Sequence, residues 1–394
     1  MLIHGRQIGD LEESDLQTLI DDQVAEGKNI EYKRELPQKT DSDKKEFLAD
    51  ISSFANSAGG YVFYGVSEKD GLPVAIDGLG GIDPDAEISR FENLLRDGLA
   101  PRISGIRFFS ISLTDGGCVI AAYIPKSWAS PHMIKYKGTS RFFARNSSGK
   151  YQLDVFELRT AFNASNIEGE QLKNFKIDRL GKIIANETPV PMEEKAKVVL
   201  HLIPVSSLTS GIKYNLHEFQ ISPNKQKLAP ISLDYGSNLR FNFDGLVTFK
   251  EHGQSELSYT YLQLFRNGIV ESVSTIYFLH ELTPPKVDIH PLEKELIEAL
   301  ERFFMIQSFL ETEPPYFLIF TLLGVRGFSI PTKGSSSRHD NIIDKNDLLV
   351  PEILIEDISI PASTILKPAF DTIWNAAGLS QSPNYDTDGN RKPK

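Results

Sequence analysis

The chain has 394 residues, 40% of them apolar, and a formal net charge of −11. That length suits two domains, the composition is that of an ordinary globular protein, and the acidic balance excludes a generally basic nucleic-acid binder. A single cysteine, Cys118, excludes an internal disulfide and fits a reducing cytoplasm; no leader is expected in residues 1–10 and no apolar run is long enough to span a membrane.

Leu16, Leu19, Ile20 and Val24 follow helical spacing, and Gly27 stands where a C′ glycine would end that helix. Ile30 and Tyr32 then alternate with Glu31 and Lys33, as in a half-buried strand. Glu31 and Lys33 therefore share a face, and Glu26 is expected to overhang it from the helix end. There it would meet the negative end of the helix dipole, a hint of a purpose other than stability. Glu26 and Glu31 lie five apart, which turns them about 140° from each other on one helix and onto opposite faces of one strand. They converge only because the chain changes structure between them.

Asp43 and Glu46 have capping-box spacing. Phe47, Ile51, Phe54 and Ala58 form a helical stripe, Gly59 and Gly60 stop it, and residues 61–66 read as an aromatic strand with Glu68 just past its end. Three convergent carboxylates suit a hard divalent cation such as Mg²⁺ or Mn²⁺, and a lysine beside them suits a phosphate or a developing anion. Spacing alone favours the plainer reading, a solvated acidic strand edge and an unrelated loop acid.

Asp83 and Pro84 read as the N-cap and first residue of a helix with Ile88, Phe91 and Leu95 inside. Residues 103–109 and 119–123 read as strands joined through a turn at 114–117, with Cys118 a buried strand residue, and residues 141–145 form another strand. No acid lies between Asp115 and Asp154, whereas Lys126, Lys135, Lys137, Arg141, Arg145 and Lys150 alternate with Trp128, Tyr136, Phe142 and Phe143. Such a ribbon offers cations for phosphates and rings for bases; the competing reading is a solvated strand edge guarded by lysines. His132 reads as a surface loop residue and His201 as a structural residue within a strand.

Glu26 with Ile30-Glu31-Tyr32-Lys33, then Ser53-Phe54-Ala55-Asn56-Ser57-Ala58-Gly59-Gly60-Tyr61, then Gly65-Val66-Ser67-Glu68, resemble the Schlafen/AlbA-like domain. Its pattern has Phe where Tyr32 stands, Thr at Ser57 and Asp-Asp at Ser67-Glu68. The likeness is specific to about residue 80 and looser through Pro131-His132, 141–145 and 155–162. It implies nucleic-acid work. Nuclease members of that family, tRNA-cutting endoribonucleases among them, use three acids and a divalent metal; the matching positions are Glu26, Glu31 and Glu68. Other members are binding or regulatory modules. Glu68 is one methylene longer than the family's aspartate, so Asp70 is the alternative third acid. With the resemblance, the ribbon reading gains, and Lys135, Lys137, Arg141 and Arg145 become the expected nucleic-acid contacts. Glu31-Tyr32-Lys33 also has the Glu-x-Lys shape of restriction-type nucleases, a short match.

Residues 168–185 read as a polar helical connector, and 188–191 as a boundary. In the second domain, strands are expected at 197–204, 239–250, 256–265, 269–278, 316–323 and 349–355, and helices at 292–310 and 365–377. Residues 335–347 read as a mobile loop. No phosphate-loop motif is present, so no ATP site is supported. The resulting expectation is an α+β protein with a Schlafen/AlbA-like domain at 1–165, a connector at 166–190, a second α+β domain at 191–377 and a disordered tail at 378–394. Its expected function is that of a cytoplasmic, bacterial, Mg²⁺- or Mn²⁺-dependent nuclease acting on RNA, tRNA included, or on single strands. The alternatives are a non-catalytic DNA- or RNA-binding module and a regulatory protein-interaction protein. Substrate docking, homodimerisation and a partner surface are the open roles of the second domain.

Overall fold

The structure, a computed structural model, describes residues 11–392 apart from 210, 212, 222–223, 233–237, 252–254, 332–341 and 387. The chain divides into two compact units, Met1–Gly169 and Glu170–Lys394, each with its own core. Both are α+β.

The first unit runs α1 (Glu13–Asp21), β1 (Ile30–Lys33), α2 (Asp41–Ala55), β2 (Gly60–Tyr64), β3 (Val66–Lys69), β4 (Leu72–Ile76), α3 (Pro84–Gly98), β5 (Leu99–Ala100), β6 (Arg107–Ser112), β7 (Cys118–Ile124), β8 (Met133–Tyr136), β9 (Thr139–Asn146) and β10 (Gly149–Gln152). One sheet has the order β1-β2-β7-β6, with β1 parallel to β2 and the other pairs antiparallel; a second has the order β10-β9-β8-β5. Every residue of β2 is buried, and strand alternation divides them between two cores. Val62 and Tyr64 pack with Phe47, Ile51 and Phe54 of α2 and Phe91 of α3. Tyr61 and Phe63 pack with Leu16 and Leu19 of α1 and Tyr32 of β1. The first sheet is thus covered on both faces, and β1 is its edge.

The strand expected at 103–109 is β6, shifted to Arg107–Ser112, and α2 ends at Ala55, before Ala58 of the expected stripe; three further boundaries near the site also differ from the sequence reading. The first helix ends at Asp21, five residues before Glu26. Gln23 takes the left-handed position (φ 51°), the Gln23 N–H donates to Ile20 O and the Val24 N–H to Leu19 O, both at 3.0 Å. This is a Schellman closure with glutamine where glycine is usual, so Glu26 meets no helix dipole. The α2 cap is Thr40, whose side chain accepts from the Asp43 N–H at 3.2 Å, so Asp43 lies inside the helix. The strand expected at 61–66 is broken at Gly65 (φ 102°), which places Glu68 within β3 rather than beyond a strand end.

Continuing, α4 (Val155–Ile184) merges the helix expected near 155–162 with the expected connector and crosses the division between units. The second unit holds β11 (Lys197–Pro204), α5 (Ser206–Thr209), β12 (Asn238–Phe241), β13 (Gly245–Glu251), β14 (Ser258–Phe265), β15 (Val270–Ser274), β16 (Phe278–Leu279), β17 (Lys286–Val287), α6 (Ile289–Phe309), β18 (Tyr316–Leu323), β19 (Leu348–Leu349), β20 (Ile353–Ile355) and α7 (Ala362–Ala376). The main sheet is antiparallel, β12-β13-β14-β15-β11-β18, with β19 and β20 both paired to β18. Leu292, Leu296, Leu300 and Phe303 of α6 and Trp374 of α7 fill one face with Val198, Leu200 and Leu202 of β11. Leu180 and Ile183 of α4 cover Val199, Tyr261 and Val273 on the other.

His201 lies on that second face, fully buried. Its Nε2 is 2.8 Å from Glu271, which also accepts two bonds from Arg179 and one from the Tyr261 hydroxyl, each at 2.8 Å. Burial alone would raise the Glu271 pKa; the Arg179 and His201 hydrogen bonds reverse that and hold it at about 2. At the C-terminal end, the segment expected to be a disordered tail is packed where it is described. Ser382 and Tyr385 are buried, and Glu293 of α6 accepts from Trp374 Nε1, Ser382 Oγ and Asn384 Nδ2. A polar sequence reads as disordered when its partners sit far away in the chain. Most of the loop expected at 335–347 lies outside the described residues; Ile343 is buried.

Gln23→Gly relieves a left-handed side chain at a helix C′ position. It is expected to stabilise the fold by about 0.5–1 kcal/mol, read as a higher urea midpoint at unchanged m-value.

Candidate functional site

The site grows from the edge strand. Because β1 pairs only with β2, the Tyr32 N–H faces away from the sheet and needs an acceptor. Glu26 supplies it, with Oε1 at 2.8 Å. The Glu26 N–H donates to Gly71 O at 2.7 Å, and the Tyr32 hydroxyl donates to Val24 O at 2.9 Å. The Glu26 carboxylate is therefore fixed between the β1 edge and the β3–β4 turn. That turn is a two-residue loop, Asp70 (φ 55°) and Gly71 (φ 76°), the pattern hairpin twist requires. Asp70 is committed to it. Glu68, exposed on β3, folds back so that Oε2 accepts from the Gly71 N–H at 2.7 Å.

Glu31 and Lys33 pair across from Val62 and Tyr64, so both lie on the α2 side of the sheet. Lys33 Nζ is 2.5 Å from Glu31 Oε1, and Arg145 Nη1 of β9 pairs with Glu31 Oε2. The Arg145 side chain is 2% exposed; its guanidinium lies 4.1 Å from the centre of the Phe54 ring, and Nε donates to Gly27 O at 3.3 Å. From α2, buried Asp50 pairs with Lys150 of β10 at 2.6 Å, and Lys150 also reaches Glu46 at 2.6 Å. The charges alternate from β9 through β1 and α2 to β10.

Their electrostatics follow from burial and neighbours. Burial, helped by Glu31 and Glu68, raises the Glu26 pKa against the Tyr32 N–H bond. Burial would raise that of Glu31 too, but Arg145 and Lys33 outweigh it and hold the carboxyl below its ordinary range. Burial and the Glu31 charge push Asp50 up to about 6 despite Lys150. Lys33 is raised: burial opposes its charge, and Asp50 and Glu31 prevail. Glu26 thus lies within electrostatic reach of Glu31 and of Glu68, and Lys33 within reach of Glu26 and Glu31.

As arranged, these donors do not fit a divalent cation. Both Glu31 oxygens are taken by protein cations, Glu26 and Glu68 each hold a backbone N–H, and among the described residues no three His, Cys, Asp or Glu side chains are grouped to hold a metal ion.

The cationic ribbon divides by position along β9 rather than by strand parity, since Arg141 and Arg145 share one face and Arg141 pairs across from the core residue Ile134. Arg145 pairs across from Lys150, and both turn inward to the acids of β1 and α2. Arg145 is therefore buried and cannot serve as a surface contact. Lys137, in the β8–β9 turn, is exposed but bound to Asp41 at 2.7 Å. Lys135 and Arg141 are exposed; Arg141 donates to Gln152 at 3.1 Å. His132 is fully buried, not a surface residue, with Nδ1 2.8 Å from Pro101 O.

Residues that spacing did not single out complete the site. Asn56, the α2 C-cap, accepts from the His132 N–H at 2.6 Å and donates to His132 O and Phe143 O at 3.0 and 2.9 Å. Ser57 Oγ accepts from the Arg145 N–H at 2.8 Å. These two residues register β9 against α2 and thereby aim Arg145 at Glu31. Gly60 follows because a Cβ there would come within 2.3 Å of Asn29 O. Asp50 is a buried acid on an otherwise apolar helix face, a signal visible in the sequence once the helix phase is fixed.

An α+β unit with a buried acid–base network on an edge strand, locked by an Asn-Ser pair after its first long helix, is the class that this geometry defines. Residues 26–154 match the family described as Schlafen, AlbA_2; the first unit carries a Schlafen/AlbA_2 domain, about a third of the chain. A domain of this kind points to nucleic-acid-related function. No curated protein matches the chain. Among solved structures, the crystal structure of the DIP2311 protein from Corynebacterium diphtheriae is similar at 15% identity over 35% of this chain and 26% of that chain, with a TM-score of 0.25. The chain thus spans about a quarter of that protein, a likeness too slight to argue from. No helix among the described residues is long and apolar enough to cross a membrane.

Asn56→Ala leaves backbone groups of His132 and Phe143 unmet and should cost about 2–4 kcal/mol in urea denaturation; Asn56→Asp, which keeps the acceptor for His132, should cost less. A second expectation concerns pH. The folded-state pKa of Asp50 is raised, so its contribution to stability is present below the unfolded value and is lost as pH rises through about 6. Asp50→Asn removes that loss, so the change in stability from pH 4 to pH 6 should be more favourable in the variant than in wild type.

Proposed function

We propose that the first unit engages nucleic acid through the β8–β9 hairpin, with RNA or single strands as its substrate class. The observation that supports this best is the exposed pair Lys135 and Arg141, neither of which has a carboxylate partner among the described residues. Phe142, half-buried on the face of the hairpin that carries Lys135 and opposite to that of Arg141, is a ring on which a base can stack. Lys137 would add a further charge if a phosphate displaced Asp41. Arg145 acts from behind, holding β9 to β1.

A second reading is phosphodiester hydrolysis at Glu26, Glu31 and Glu68 with Mg²⁺ or Mn²⁺, Lys33 meeting the developing charge. What favours it is the place of Glu26, whose pKa both Glu31 and Glu68 push upward. It requires Glu31 to be released from Lys33 and Arg145. No residue of the second unit is assigned a role in either reading.

The test incubates purified protein with labelled tRNA and with single-stranded DNA, in Mn²⁺ or in EDTA, across a salt series. Binding that persists in EDTA, with Lys135→Ala and Arg141→Ala each lowering the salt slope by about one, supports the first reading. Unchanged slopes in both variants sink it. Cleavage that appears only with Mn²⁺ and vanishes in Glu26→Gln selects the second reading. Neither binding nor cleavage would move the function to the second unit as a protein-interaction surface.

A further inference from the structure

Both oxygens of Glu31 already face a cation of the chain itself. Lys33 stands 2.5 Å from Oε1, two residues along the same strand face, and Arg145 pairs with Oε2 from a different sheet. Arg145 has no freedom to leave independently. Its backbone N–H is held by Ser57, its Nε by Gly27 O, and its guanidinium is stacked on Phe54. The other two acids differ. Glu26 is half-buried and Glu68 is exposed, and neither forms an ion pair among the described residues; each spends one oxygen on a backbone N–H and leaves the other uncommitted by any hydrogen bond described.

We propose that Arg145 and Lys33 are the resident counter-cations of Glu31, making this acid a charge-compensated anchor between β1 and β9 rather than a ligand for a divalent ion. Arg145 is a positioning residue. It acts through Glu31, fixing the edge strand whose next residue, Tyr32, holds Glu26. Any metal that the site accepts must then be held by Glu26 and Glu68 with water, an open and weak arrangement. The proposal concerns the chain without its substrate and holds whether or not the module cuts nucleic acid.

The experiment titrates Mn²⁺ into the full chain and follows both thermal unfolding and the free-Mn²⁺ spin-resonance signal. It compares wild type, Glu31→Gln, Arg145→Gln and Lys33→Gln. Wild type and Glu31→Gln should bind Mn²⁺ with the same weak affinity. Arg145→Gln and Lys33→Gln, each of which frees one Glu31 oxygen, should bind at least tenfold more tightly and gain a Mn²⁺-dependent rise in Tm. Should Arg145→Gln fail to fold, Lys33→Gln carries the comparison, because its side chain is partly exposed. A wild type that binds Mn²⁺ tightly and loses that affinity in Glu31→Gln overturns the proposal, and so does a Lys33→Gln chain that binds no better than wild type. RNA retention by the same wild-type preparation, measured in EDTA, reports separately on the proposed function.

Discussion

A carboxylate taken out of water must be met by charge or hydrogen bonds, and Glu31 is the place where this constraint shapes the first unit. Removing an ion from water costs on the order of several kcal/mol even after the protein relaxes. One lysine on the same strand would leave the second oxygen bare. The remaining cation has to arrive from elsewhere in the fold, and it arrives on β9. Much of the local architecture follows from bringing that arginine to its place: the stacking surface of Phe54, the carbonyl of Gly27, and the hydrogen bond from Ser57 to the strand that carries it. The second pair, Asp50 with Lys150, repeats the solution one strand further on. Two sheets are joined across α2 by ion pairs as well as by apolar packing.

Such joints favour specificity over raw stability. Apolar side chains of similar volume would cost less to bury, but they would tolerate a slip of β9 against α2. Opposite charges at fixed heights, together with an asparagine that reads the backbone of His132, just before β8, and of Phe143 in β9, admit one register. The second unit uses the same device at Glu271, where residues from two strands and α4 converge on His201's partner.

Much of this was legible from residue order. The alternation in 30–33, the Asp83-Pro84 cap, the 114–117 turn and the strands β11, β14, β15 and β18 follow from periodicity and turn chemistry, whereas 239–250 and 349–355, each read as one strand, are two; the Schlafen/AlbA_2 motif residues agree with the family match. The change of structure between Glu26 and Glu31 was legible too, although the break occurs at Gln23 and not at Gly27. What escaped was long-range. An acid-free window looks like a surface ribbon because the acids that neutralise Arg145 and Lys150 lie about a hundred residues earlier, on β1 and α2. His132 looked exposed because the asparagine and the carbonyl that enclose it lie 76 and 31 residues earlier. Strand parity sets Arg141 and Arg145 on one face of β9, but only the pairing with β8 and β10 shows that this face is the inner one and that Arg145 alone of the two is buried on it.

The C-terminal segment has a consequence of another kind. Ser382 and Asn384 complete the environment of Glu293, and Tyr385 donates to Ser363 O at 2.8 Å. Limited proteolysis of this polar stretch would do more than trim a loose end. It would strip hydrogen-bond donors from a glutamate in the second turn of α6 and uncover the side of α7 that carries Phe370. This polar stretch is thus part of the core closure of the second unit, and the unit is complete only once it has docked.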